Sequence, residues 1–349
     1  MGKSMLDDQT ILQQRDPEGA LTVITNEEHQ LAADLMIEHA EHDERTIENI
    51  VITGMGGSAL AALVLKVWLK DDFTVPLDIV RSYNLPNYVG KHTLVIASSY
   101  SGNTEETLSA LEEAEVRGAQ IAIIASGGKL IDEANAKDIA SVQMPSGVQP
   151  RMALIYNLRG IVELLIAFNI LDVIRLDDLS SLEQWISDES ANWAASVPTD
   201  QNYAKQLANQ MVGKNMVFYG GPLTAPVAYK WKISLNETSK NMAFWNEYSE
   251  FNHNEFMGWT SQPIEKPFAV FDIISNLEHP QILKRFELSD QLLSGLRPKA
   301  TPIHLEGDTL LQQLLWGCIL ADFVSFYVAT LNNVDPTPVV LIEKLKKEL

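Results

Sequence analysis

The sequence predicts an α/β protein built from two doubly wound parallel-sheet domains with flanking helices, and three observations carry that expectation. Short apolar strands alternate with helices through the first half, "NIVITG" (49–54), "TLVIAS" (93–98) and "QIAIIAS" (120–126) being the clearest. Runs this apolar suit strands that crossover helices bury on both faces. The pattern then restarts, with "NMVFYGG" (215–221) ending in glycines as "NIVITGMGG" does. Finally, 349 residues with 46% hydrophobic content exceed one ordinary core and suit two domains.

Taken in order, residues 1–48 read as a helical lead-in, with "EEHQLAADLMIEHAEH" placing Leu31, Leu35, Met36 and Ala40 at helical spacing and His39 and His42 on a solvated face. The first domain, 49–171, carries strands at 49–54, 77–82, 93–98, 120–126 and 139–144. Its helices run from Ser58 to about Lys70, from Thr104 to Arg117 and through "KLIDEANAKD", and it closes on a long apolar helix at 151–171. The polar stretch 172–200 is a helical linker. The second domain, 201–333, has strands at 215–221, 268–275 and 301–306, a helix around "PQILKRFELSDQLL" and another through "LLQQLLWGCILADFVSFYVATL". A tail helix, 334–349, ends the chain, and the two halves read as a degenerate duplication of one unit.

The net charge of −20, from 46 acidic against 26 basic residues, argues against nucleic acid or an acidic membrane surface as partner. A small anion would have to be held by local donors: backbone N–H groups, hydroxyls and one or two arginines. No run of 18 uninterrupted apolar residues is present and the N-terminus is polar and acidic, so the chain reads as cytoplasmic. The single cysteine, Cys318, lies in "LLWGCILADF" and reads as a core thiol.

Two strand-to-helix junctions carry candidate chemistry. "ITGMGGSA" has Gly54, Gly56 and Ala59 at the spacing of a dinucleotide fingerprint, but the acidic residue such a site wants at the end of the next strand is lacking, Asp78 lying inside "PLDIV". "SSYSGNT" (98–104) places Ser99, Ser101 and Thr104 where a helix begins, with Gly102 permitting a tight backbone. Unpaired first-turn N–H groups, the helix dipole and these hydroxyls together make a neutral cradle for a phosphate monoester. The plainer alternative is a helix cap formed by Asn103 or Thr104, for which one polar side chain would suffice.

The motifs "GMGGS" (54–58), "SYSGNTEET" (99–107), "PRMALIY" (150–156), "NETSK" (236–240), "FNHNE" (251–255) and "DPTPVVLIEKLKKEL" (335–349) resemble, in order, the bifunctional phosphoglucose/phosphomannose isomerases, which carry two sugar isomerase (SIS) domains. The resemblance implies reversible aldose–ketose isomerisation of glucose 6-phosphate and mannose 6-phosphate with fructose 6-phosphate, without metal or redox cofactor. It implies that Gly57 and Ser58 contact the sugar and that Ser99, Ser101 and Thr104 hold the phosphate. Arg151 would stabilise an enediolate, Glu237 would shuttle the proton, and His253 and Lys346 would assist ring opening, in a homodimer with His253 donated by the neighbouring subunit. Among the tail lysines Lys344, Lys346 and Lys347, the family pattern I-x-x-L-K selects Lys346. Thr337 would stand near that lysine.

The residues themselves are compatible with these roles. One carboxylate can carry a proton between adjacent carbons, and a fixed guanidinium can stabilise charge on enediolate oxygens. Imidazole titrates near neutrality, and "HNE" offers at most two metal ligands. Glu237 could instead be a helix-surface residue paired with Lys240, and Arg151 an exposed helix-start residue poorly matched to the dipole. A binding-only sugar-phosphate sensor, a nicotinamide-dependent oxidoreductase using "GMGGSA" and an amino-sugar isomerase are the alternatives; the last would need an ammonia source that no segment supplies.

Overall fold

In the computed structural model, residues 4–261 and 267–348 are described, and their strands fall into two sheets. Two short helices, α1 (Gln9–Gln14) and α2 (Ala20–Ile24), begin the chain. There follow β1 (Ile37–Glu38), β2 (Asn49–Thr53), α3 (Gly56–Trp68), β3 (Leu77–Val80), β4 (Thr93–Ser98), α4 (Glu105–Val116), β5 (Gln120–Ala125), α5 (Gly128–Lys137), β6 (Ala140–Gln143) and α6 (Leu154–Ala167). After α7 (Ile174–Ser180), α8 (Glu183–Ala191) and α9 (Tyr203–Met211) come β7 (Asn215–Gly220), α10 (Ala225–Glu237), β8 (Ala243–Glu247), α11 (Glu255–Gly258), β9 (Phe268–Ile274), α12 (Pro280–Leu292), β10 (Thr301–His304), α13 (Leu310–Asn332) and α14 (Val340–Glu348). The chain divides into one compact unit of Glu27–Trp185 and another of Met1–Asn26 with Ile186–Leu349.

The first of these holds a six-stranded sheet in the order β1-β6-β5-β4-β2-β3, parallel except for β1. Every residue of β4 is buried, as the apolar run requires. On one face Ala97, Ile123 and Ala125 pack with Leu111 of α4 and Leu130, Ile131 and Ala134 of α5. On the other, Gly160 of α6 lies against Ile124 and Val142. The other unit holds a fully parallel sheet, β10-β9-β7-β8. Val217, Tyr219, Tyr248, Phe251, Trp259 and Phe286 form the aromatic core on one of its faces. Phe218 packs on Trp231 of α10, whose indole N–H donates to the Gly317 carbonyl of α13 at 3.0 Å.

Four expectations need correction. The lead-in helix stops early: a 3-10 segment ends at Ala32 and Ile37–Glu38 pairs antiparallel with β6, because the open sheet edge outweighs local helical spacing. His39 and His42 therefore lie off any helix, and the His42 ring stacks on Phe168. The expected helix at 151–171 is divided into a 3-10 turn, Pro150–Met152, and α6. The edge strand β8 has no counterpart in the sequence reading; its partly exposed "AFWNE" lacks the uniform burial that marks the central strands. Cys318 is a buried free thiol as expected, and α13, although long and apolar enough to cross a membrane, is buried almost all round as a core helix.

Candidate active site

The junctions singled out in sequence meet at the C-terminal ends of β2 and β4, where the strand order of the six-stranded sheet reverses. Such switch points open a crevice between neighbouring loops. Ser99 is buried, and its Oγ lies 2.7 Å from Thr104 Oγ1 in a hydroxyl pair. Gly102 turns the loop at φ +67, and Ser101 stays exposed. Thr104 occupies the N-cap position of α4, yet no side chain caps that helix. Asn103 is used elsewhere: its Oδ1 accepts the Lys129 N–H of α5 at 3.1 Å, and its Nδ2 donates to the Ser101 carbonyl at 3.1 Å. Among the described residues the helix-cap alternative thus fails for both Asn103 and Thr104.

A second close approach adds the arginine. Gly57 stands in the first turn of α3, and a Cβ there would lie 2.7 Å from the Pro150 carbonyl and 3.5 Å from Arg151 Cα. Glycine is therefore what lets the 150–152 turn rest on the start of α3, where Ser58 is also buried. Arg151 is 1% exposed, so the alternative of an exposed helix-start residue does not hold; its Nη1 lies 3.5 Å from Gln149 Oε1. A guanidinium stays charged where it is buried and presents a planar fork of N–H donors.

Tyr100 is a tie between two loops that the sequence reading passed over. Its Oη donates to the Pro145 carbonyl at 3.0 Å and accepts the Val148 N–H at 3.2 Å, tying the cradle loop to the segment that leads into Arg151. Burial pushes its phenol pKa up, so it remains a donor at neutral pH. The aromatic interrupting "SSYSGNT" was the available signal.

The remaining predicted residues belong to the other unit. Glu237 ends α10, half-buried, and with Asn236, Lys240, Asp335 and Ile342 lines a groove of about 540 Å³. The groove's far wall is the segment entering α14, in which Thr337 is buried and its N–H donates to Asp335 Oδ1 at 3.0 Å. Lys346 follows Ile342 by one helical turn and is exposed, as is Lys344; the Lys347 side chain lies outside the described residues. Lys240 Nζ donates to the Asp335 carbonyl at 2.5 Å, tying the end of α10 to that segment. His253 ends a 3-10 turn, faces solvent and does not line the groove. Asp78 is the second residue of β3 and accepts from Tyr88 Oη at 2.5 Å, so no acid stands at the end of β3 for a ribose. Among the described residues no cluster of three or more His, Cys, Asp or Glu has the arrangement of a metal site.

Comparison with known proteins matches the same two halves. Residues 45–155 fit the SIS domain model, and residues 200–349 fit the bacterial phospho-glucose isomerase C-terminal SIS domain. A glucose-6-phosphate isomerase like protein from Thermus thermophilus superposes with a TM-score of 0.66 at 18% identity, covering 100% of both chains. Fold and domain models together define a protein of two SIS domains.

The bifunctional phosphoglucose/phosphomannose isomerase of Caldicellulosiruptor bescii is 37% identical over 307 residues, 87% of this chain and 90% of that one. The enzyme of the same name from Aquifex aeolicus is 34% identical over 303 residues, 86% of this chain and 90% of that one. The chain belongs to the bifunctional phosphoglucose/phosphomannose isomerase family.

Proposed function

We propose that the protein interconverts fructose 6-phosphate with glucose 6-phosphate and mannose 6-phosphate. The observation that carries this reading is the uncapped start of α4, ringed by the hydroxyls of Ser99, Ser101 and Thr104, in the same unit as the buried Arg151. The phosphate rests on the α4 N-terminus, and Gly57 and Ser58 border the sugar. His253 and Lys346 move the proton that opens the ring. Glu237 takes the proton from C1 of the ketose, leaving an enediolate whose oxygen charge faces Arg151, and returns it to C2 to form the aldose. Protonation of C2 on one face or the other, after rotation about C2–C3, separates the glucose and mannose products. The exposure of His253, away from the Glu237 groove, fits a homodimer in which each subunit lends this histidine to its neighbour.

The test is an assay of EDTA-treated protein with fructose 6-phosphate, following both aldose phosphates separately. Formation of both supports the proposal, and glucose 6-phosphate alone removes the mannose activity. Saturable binding with neither product would leave a sugar-phosphate sensor in its place.

A further inference from the structure

The turn that carries His253 is exposed at its tip and locked at both flanks. His253 ends the 3-10 turn Glu250–His253 and α11 follows at once, so residues 250–259 form one short excursion after β8. At the near flank Phe251 is fully buried against Tyr219 and Tyr248, with ring centroids 4.2 and 5.1 Å apart. Asn252 is tied to α12: its Nδ2 donates to Ser289 Oγ at 2.9 Å, and its Oδ1 accepts from Arg285 Nη1 at 3.0 Å.

At the far flank Glu255 ties the segment to the sheet. Its Oε1 accepts the Tyr219 hydroxyl of β7 at 2.5 Å, and its Oε2 accepts the Asn246 side-chain amide of β8 at 2.6 Å. Tyr219 Oη in turn accepts the Trp259 indole N–H at 2.9 Å, so both ends of α11 are stapled to β7. Burial, and after it the Glu255 charge, push the Tyr219 phenol well up, so it keeps its proton and donates. Asn246 cannot turn its amide over without loss, because its Oδ1 accepts the Glu247 N–H at 2.8 Å. Both partners therefore present donors, and a carboxylate is the group that offers each an acceptor.

We propose that Glu255 is a positioning residue for the isomerisation, bracing this turn against β7 and β8 so that the exposed His253 keeps one place from which to open the sugar ring. With both oxygens engaged by protein donors, Glu255 acts through His253 and not on the substrate. A solvent-facing imidazole gains little order from its own packing, so the order comes from the residues beside it. A proton donor works only within hydrogen-bond reach of its target, and a misplacement of about 1 Å costs on the order of 10²-fold. The inference rests on the reading of His253 as a ring-opening group.

The experiment is a double-mutant cycle in the full chain: Glu255→Ala, Glu255→Gln, His253→Ala and the two combinations, assayed with fructose 6-phosphate at enzyme concentrations high enough to read residual rates. Glu255→Ala is expected to lower kcat roughly 10–100-fold with KM within about threefold, and Glu255→Gln, which keeps one of the two acceptors, to lower it less. In the His253→Ala background the same substitutions should change the residual kcat by less than about twofold, because the group they position is gone. Equal fold losses in both backgrounds, or an unchanged kcat in Glu255→Ala beside a dead His253→Ala, overturn the inference alone and leave Glu255 a structural acceptor. Should Glu255→Ala not fold, Glu255→Gln decides by the same comparison. Normal turnover in His253→Ala, or no isomerisation by the unsubstituted protein, would sink the reading of His253 and this inference with it.

Discussion

Lys230 of α10 and Asp322 of α13 form a fully buried ion pair, Nζ to Oδ2 at 2.6 Å, with both side chains 1% exposed. Ser234 Oγ donates to the same carboxylate at 2.8 Å. The pair fixes the helix that ends in Glu237 against the core helix behind it. Asp322→Ala, which strands the ammonium, should cost about 3–5 kcal/mol, whereas replacing both partners with apolar residues of matching volume should cost far less. Urea unfolding of the single and double variants measures the difference.

Gly57→Ala should damage activity more than its size suggests. The added methyl would meet the Pro150 carbonyl at 2.7 Å, and backbone must move to admit it. The expected cost is about 1–3 kcal/mol of stability. Displacing Arg151 should lower kcat/KM for fructose 6-phosphate by at least ~10-fold, since small misplacements of a positioning group are costly. An unchanged kcat/KM would separate Arg151 from the chemistry.

Ser101→Ala with Thr104→Ala should act mainly on KM. Phosphate contacts made equally in the ground and transition states are uniform binding, so KM should rise roughly 10-fold with kcat within about threefold. Steady-state kinetics with fructose 6-phosphate provides the reading.

Glu237→Gln should lower kcat by about 10²–10⁴-fold while leaving sugar-phosphate binding nearly intact. His253→Ala should also be nearly inactive. Mixing the two dead variants under conditions of subunit exchange should restore roughly a quarter of normal activity if each site takes its histidine from the neighbour, because half the dimers then hold one intact site. Absence of any recovery on mixing would argue against the shared site.

Asp272 of β9 is 4% exposed, and among the described residues its Oδ1 has no hydrogen-bond partner. Burial pushes its pKa from 3.8 to about 7, with the nearby Arg297 charge opposing and Asp290 adding to the rise. Between those values the native state keeps a proton that the unfolded chain has lost, so stability falls as pH rises through this window and is flat above it. Asp272→Asn should abolish that slope and exceed the unsubstituted protein in stability at pH ~8 by on the order of a few kcal/mol, with little difference near pH ~4. Unfolding in urea at the two pH values checks both the sign and the window.

Much of this was legible in the chain. β4 runs from Thr93 to Ser98 as its apolar run indicated, and α4 starts and stops within one residue of the expected limits. The hydroxyls proposed as the cradle stand out in the sequence because Ser99, Ser101 and Thr104 are near neighbours at a strand-to-helix junction, where turn chemistry is local. The edge strands β1 and β8 were missed because their own side chains are half-exposed and, for β1, because its partner β6 lies far along the chain.

What the sequence determined by itself was therefore the periodicity, the order of the motifs and the residue types at each junction, all properties of short windows. Tertiary structure alone decided that Arg151 is buried rather than exposed and that Tyr100 ties the cradle loop to Pro145 and Val148. Each of these joins segments about 45 or more residues apart, or depends on what such segments cover. Burial and hydrogen-bond partnership are set by packing against distant chain, and no local pattern of propensity or charge encodes them.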